Sequence, residues 1–322
     1  MVYDCIPFFN ELDILNLRLH ILDPYVDRFV IEEATVTFSG EKKELVFEKN
    51  REMFAEFLPK ITHIVVDDTP ADAADTYVRD YYQKNRLIEG LKDASEEDVI
   101  LFGDADEIPD PKTLQKLIGG FDREKVYHLA QRNFYVYLNN EEKSGKLLSI
   151  TGEFPDIPEE KRLWLGTKVC SVKNIPEEGI VRLRDLVPVT DERSVRVENG
   201  GWHFGYMGGH GEKDPSIRIG VKTKAAAHQD YNEKEVLKET MDHLYLGRDI
   251  FGRDASFMRV DVDETYPEYL LEHKEEFAHL ILPEISVWKK LRSRMNLTAG
   301  RFFRKVKRRL TRLMNSNNRK VV

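Results

Sequence analysis

The sequence predicts an α/β protein with a mostly parallel central sheet, added mixed strands and a helical carboxyl-terminal extension. Three observations predict it. Short apolar runs alternate with helical spacings through the first third, acids follow directly on the fourth such run, and the middle turns β-rich between Gly, Pro and Asn turns. At 322 residues, 41% of them hydrophobic, the chain suffices for one large core.

The elements follow in order. An apolar run near Tyr3–Phe9 ends at Asn10-Glu11, and Leu12, Leu15, Leu19 and Leu22 then recur at helical spacing up to Asp23-Pro24. RFVIEEA is a second strand, FLPKITHIVVDD holds a third, and DTYVRDYYQKNRLIEGLKD reads as one helix. VILF is a fourth strand, delivering Asp104, Asp106 and Glu107, and PDPKTLQKLIGG is a short helix begun by Pro111. KVYHLAQRNFYVYLN, KLLSI, RLWLGTKVCSVKNI and GIVRLRD read as further strands. GGWHFGYMGGHG is too glycine-rich for an ordinary helix or strand. SIRIGVKTKAAAHQDYN, EKEVLKETMDHLYLG and YPEYLLEHKEEFAHLIL read as helices.

Charge divides the chain. From Ile285 to Val322 there are 13 Lys or Arg and no acid, which leaves 36 basic against 57 acidic residues in the first 284. The boundary separates a body of residues 1–284 from a basic tail of residues 285–322. The acidic body argues against nucleic acid as a partner. In the tail Phe302, Phe303, Val306, Leu310, Leu313 and Met314 recur at helical spacing among Arg and Lys. Residues 290–322 therefore suit an anionic membrane surface, the other readings being an apolar stripe packed on the body, or contact of the tail with nucleic acid or another protein. No apolar run reaches the roughly 18 to 20 residues of a spanning helix. Cys5 and Cys170 read as buried free thiols of a reducing compartment.

Acids at a strand's carboxyl end stand where open α/β sheets bind ligands. Asp104 and Asp106, separated by Ala105, offer oxygen ligands suited to Mg²⁺ or Mn²⁺. Arg79, Asn85 and Arg86, on the preceding helix, are candidates to meet an anionic ligand.

Three blocks then resemble glycosyltransferase family 17: YDCIPFFNELDILNLRLHILDPYVDRFVIEEATVTFSGEKKELVF, ILFGDADEIPDP and GWHFGYMGG. The resemblance runs, with gaps, from residue 2 to about residue 250. It implies a GT-A-like nucleotide-sugar fold, a D-x-D metal motif, UDP-GlcNAc as donor, and inversion at the anomeric carbon. It implies that Phe8, Asn10 and Glu11 lie near the nucleotide base, with Glu33 at base or ribose and Lys43 at the diphosphate. Asp104, Ala105 and Asp106 match the D-x-D, and His203 in GWH becomes the third metal ligand, with His210 and His228 as competitors. Trp202 reads either as a platform for a sugar or uracil ring or, as large aromatics more often do, as a core side chain.

An inverting transfer needs a carboxylate base. Glu212 is the first choice and Glu153 the second, with Asp214 and Asp156 also available. Lys222 and Lys224 are placed toward the leaving phosphates, and Arg132 toward the acceptor or the acids. Without the anchor and stem of Golgi members, the expected setting is cytoplasmic, at the inner face of a membrane, with a glycan or lipid-linked saccharide as acceptor. A metal-dependent nucleotidyl or phosphoryl transferase and a non-catalytic carbohydrate- or membrane-binding module are the alternatives.

Overall fold

A computed structural model describes residues 1–71, 75–147, 157–186, 191–300 and 302. Its ten-stranded sheet comprises β1 (Val2–Pro7), β2 (Arg28–Ala34), β3 (Ile61–Val66), β4 (Val99–Phe102), β5 (Glu107–Pro109), β6 (Val126–Tyr135), β7 (Asn140–Glu142), β8 (Trp164–Ser171), β9 (Ser194–Gly205) and β10 (Phe257–Arg259). The order is β10-β7-β6-β8-β4-β1-β2-β3, and β9 pairs with β5 and β6. β3, β2, β1 and β4 run parallel, as the opening rhythm predicts. β8 joins β4 antiparallel and links the parallel half to the mixed half.

Alternation along the parallel strands feeds two cores. Val99 and Leu101 of β4 face one side with Phe29 and Ile31 of β2, and there helix α1 (Leu12–Leu22) buries Leu12, Leu15, Leu19 and Leu22. Each such leucine contributes roughly 1.5 to 3 kcal/mol of burial, an upper estimate because unfolded chains are partly compact. Ile100 and Phe102 face the other side with Cys5 and Val30, against Leu87 and Leu91, which follow helix α3 (Thr76–Asn85). A short helix α2 (Val46–Lys49) precedes α3, and α4 (Pro111–Gly119) follows β5. Beyond β9 come α5 (Pro215–Ala225), α6 (Lys234–Tyr245), α7 (Glu268–Glu272) and a helix, α8, of residues 287–300. Cys5 and Cys170 are buried and free.

Four sequence expectations need correction. GIVRLRD is not a strand but a 3₁₀ turn over Ile180–Arg184, because Ile180, Val181 and Leu183 are all buried by its tight curl. The helix from Thr76 stops at Asn85 and continues as 3₁₀ turns over Arg86–Leu91. YPEYLLEHKEEFAHLIL breaks after α7, so that Phe277 and Leu280 turn into the core. GGWHFG, finally, is the end of β9. Its register against β6 shifts between Leu129 and Gln131, and Gly201 beside that bulge has φ +118°, a region that side chains avoid. A Cβ at Gly201 would also lie 2.1 Å from the Ile108 carbonyl oxygen, so the residue's lack of one lets β5 approach β9. Part of KLLSI lies outside the described residues.

Candidate active site

The carboxyl ends of β1, β2 and β4 lie side by side, so the loop Phe8–Glu11, Glu32-Glu33 and the turn Asp104–Glu107 open on one edge of the sheet. Glu107 shapes that turn from inside. Fully buried, its carboxylate accepts from the Asp104 amide at 3.0 Å, from Trp164 Nε1 at 2.9 Å and from the two terminal nitrogens of Arg184 at 3.1 and 3.2 Å. Burial raises its affinity for a proton, but Arg184 outweighs this and its pKa falls below the usual range. From the opposite side Arg18 of α1 donates to the carbonyls of Asp104 and Glu107, while its fork holds Asp4 of β1.

Around this turn sit three cations. Asp104 Oδ1 lies 3.2 Å from Lys84 Nζ and 3.1 Å from Arg184, and Lys84 also meets Asp80 at 2.9 Å. Burial would raise the Asp104 pKa, yet Arg184, Lys84 and Lys222 together drive it well below the carboxylate range. Lys222, on α5, bonds Asp106 Oδ2 and reaches Glu11 Oε1 at 3.2 Å. Burial disfavours its charge, but Asp106 and Glu11 more than compensate, so its pKa stands far above normal. Nearby Lys168 is fully buried, donates to two carbonyls, and is pushed down to about 7 by burial and by Arg184.

His203 completes the group. β9 sets it opposite Glu107 on β5 and Asn133 on β6. Nδ1 faces Asn133 Oδ1 at 2.9 Å, so Nδ1 carries the proton and Nε2 keeps its lone pair, 3.7 Å from Asp106 Oδ1. Burial lowers the imidazole pKa and keeps it neutral, the form that ligates metals. The Trp164 ring stacks on it with centroids 4.5 Å apart.

Among the described residues, no three His, Cys, Asp or Glu side chains stand grouped tightly enough to hold a metal as they are. The donor chemistry nonetheless fits a divalent cation. The five carboxylates Glu11, Asp80, Asp104, Asp106 and Glu107 face the three cations Lys84, Arg184 and Lys222. That leaves two surplus negative charges for a divalent ion to balance, in a cluster buried except toward Asp104, with Lys168 supplying at most part of one. Asp104, Asp106 and His203 are the residues that would hold it.

The other expected site residues divide. Asn10 stands at the same edge, its Oδ1 buried and unbonded, beside the segment whose Gly209 amide bonds its carbonyl. Phe8 and Ala105 are core side chains. Glu33 is fully buried and accepts from the Phe47 amide at the start of α2, with Lys43 3.7 Å away and His63 3.3 Å away. Arg86 is half exposed and pairs with Glu89 at 2.7 Å rather than with the acids. Of the two readings of Trp202 the structure takes the core one: the ring is buried with Nε1 donating to the Thr265 carbonyl, because adjacent strand residues face opposite ways and His203 faces the site. Glu212 receives the Asp214 amide within its own loop, and Asp214 caps α5. Arg132 forks onto Glu141. His210 bonds Asp13 and His228 bonds Tyr77. Glu153 and Asp156 lie outside the described residues. Lys84, Arg184, Trp164 and Asn133 were not among the expected residues.

Glu32 gives a first expected result. It is buried at the end of β2 with Oε1 unbonded, and burial, opposed by Lys43 and Lys84, pushes its pKa up from 4.5 to about 8. The unfolded chain releases this proton near 4.5 and the folded chain near 8, so the stability it confers at low pH is lost across that window. Glu32→Gln should match the wild type below the window and exceed it above, by at most about 5 kcal/mol. Urea melts from pH 4 to pH 9 read this directly, and parallel curves would refute the protonated carboxyl.

With this geometry established, sequence comparison finds a match over part of the chain. Residues 1–143 match glycosyltransferase family 17. The family-17 stretch contains β1 to β7, Lys84 and the Asp104–Glu107 turn, while Arg184, His203 and Lys222 come from outside it. Two similar curated proteins, from Rattus norvegicus and Homo sapiens, are each named β-1,4-mannosyl-glycoprotein 4-β-N-acetylglucosaminyltransferase. The rat protein is 30% identical over 143 residues, 40% of this chain and 26% of its own length. The human protein is 30% identical over 135 residues, 38% of this chain and 25% of its own. The matched stretch thus spans about a quarter of these relatives. Among solved structures, the crystal structure of S. aureus TarS 1–349 is similar over 77% of this chain and 71% of that one, at 11% identity and a TM-score of 0.36.

Proposed function

We propose that this chain is an inverting, metal-dependent glycosyltransferase that moves GlcNAc from UDP-GlcNAc to a hydroxyl of a glycan or lipid-linked saccharide. One observation carries the reading: the stretch that matches family 17 ends its parallel strands in a carboxylate cluster, buried except toward Asp104, short by two positive charges and ringed by Lys84, Arg184 and Lys222. The transferred sugar follows the names of the relatives, and the UDP donor follows the resemblance to family 17. We assign the work to the cytoplasm, at the inner face of a membrane.

In this mechanism Asp104, Asp106 and His203 are the residues that would hold Mn²⁺ or Mg²⁺, and the ion would supply positive charge to offset that of the diphosphate. Lys222, freed from Asp106, meets the departing phosphates, and Arg184 and Lys84 keep the Asp104 side of the cluster from repelling them. Asn133 fixes the His203 tautomer. A carboxylate from the acceptor side takes the hydroxyl proton as the oxygen attacks the anomeric carbon from the face opposite the diphosphate, which inverts that centre. Glu212 and Glu153 are the candidates for this base.

Calorimetry with a panel of nucleotide sugars, with Mn²⁺ and with chelator, tests the proposal. UDP-GlcNAc should bind more tightly with the metal and be hydrolysed slowly without an acceptor. Preference for another sugar donor would change the substrate and keep the chemistry. Absence of binding by any nucleotide sugar would end the transferase reading.

A further inference from the structure

The helix α8 leaves one face bare. Ser286 caps it, its Oγ accepting from the Lys289 amide at 3.3 Å. Ser293 and Leu297 are buried against the body, Lys289 lies 3.9 Å over the Tyr245 ring of α6, and Asn296 bonds Asp242. These contacts fix the helix rotation. Val287 and Trp288 are each 80% exposed, Met295 and Phe302 each 64%, and Leu291 45%.

At about 100° of turn per residue, Val287, Trp288, Leu291 and Met295 fall within an arc of about 100°. Ser293 and Leu297 fall on the far side. Arg292 and Arg294 border the apolar arc, one on each edge, and residues 287–300 carry no acid. Isolated exposed hydrophobics are ordinary, but a contiguous stripe on an anchored helix, edged by cations, calls for a covering surface.

We infer that this face of α8 docks on an anionic phospholipid surface. Such a surface meets both halves of the stripe: acyl chains take Trp288, Leu291 and Met295 while headgroup phosphates meet Arg292 and Arg294. Tryptophan favours that boundary. A second copy packed stripe to stripe would instead bring two basic runs together, each with 13 Lys or Arg and no acid from Ile285 to Val322. Among the described residues no helix is long and apolar enough to cross a membrane, so the contact is interfacial. The inference does not depend on the transfer chemistry, because its test reads binding alone.

The test is co-sedimentation of the full chain with vesicles of phosphatidylcholine alone and of phosphatidylcholine mixed with phosphatidylglycerol, followed also by tryptophan emission. The chain should pellet with the anionic vesicles, its emission should shift to the blue, and raising salt from about 0.1 to 0.5 M should release it. Trp288→Glu with Leu291→Glu should weaken partitioning about tenfold or more, and Arg292→Gln with Arg294→Gln should remove the preference for anionic lipid. All four side chains are exposed, and an unchanged melting temperature verifies the fold. The inference is overturned if anionic vesicles leave the protein in solution, or if the Glu variant still binds. It is overturned equally if sedimentation velocity shows a dimer that the Glu variant dissolves, which would give the face to a second copy.

Discussion

Asp106→Asn is expected to abolish the gain in UDP affinity that Mn²⁺ confers and to lower sugar transfer by about 10² to 10³, several kcal/mol of transition-state charge stabilisation. Asp106 is 3% exposed and sits between Lys222 and the His203 ring, so an amide of the same shape fills its space without a cavity. What changes is charge. The cluster loses one of its two surplus negative charges, and Lys222 keeps only Glu11 as an ionic partner. The variant should therefore resemble the wild type in chelator, with UDP affinity insensitive to metal. Calorimetry of UDP with and without Mn²⁺ measures this, and a melt verifies folding. A wild type whose UDP affinity ignores Mn²⁺ would remove the metal from the mechanism, whatever the variant does.

The acids at the end of β4 were legible because their signal is local: four apolar residues, then acids, within one short segment. The parallel half was legible for the same reason, since α1 and its flanking strands announce their periods over a few residues. The cations were not. Arg184 reaches Glu107 from 77 residues away in a segment whose alternating Val181 and Leu183 imitate a strand. Nothing local marks such a partner. Guanidinium chemistry singles out Arg79 and Arg86, with Asn85 beside them, whereas the rotation of α3 directs Lys84, four residues past Asp80, toward the site. Trp202 shows how one misread element leaves a residue's place open. Reading GGWHFG as irregular discards the two-residue period, and with it the rule that Trp202 and His203 must face opposite ways.

Arg18→Met should cost about 3 to 5 kcal/mol of stability, because it strands a buried charge. Arg18 and Asp4 are both fully buried, joined by two short bonds of 2.6 and 2.7 Å between α1 and β1. Removing the guanidinium leaves the Asp4 carboxylate in the core without a partner, and takes one of two donors from each of the carbonyls of Asp104 and Glu107, which keep the Glu107 amide and the Thr167 hydroxyl respectively. The double variant Asp4→Leu with Arg18→Met separates the two effects. With neither charge present, the ionic part of the loss is recovered, and replacing such pairs by apolar groups is often neutral. The two hydrogen bonds from Arg18 to these carbonyls stay lost, so a deficit of about 1 to 3 kcal/mol should persist. The same residual defect should loosen the Asp104–Glu107 turn and weaken UDP binding in the presence of Mn²⁺, although neither substitution touches the exposed side of the cluster. Urea unfolding of both variants gives the two energies. If the double variant recovers full stability and full UDP affinity, Arg18 serves only to neutralise Asp4; if the single variant loses less than about 1 kcal/mol, the pair is not the anchor between α1 and β1.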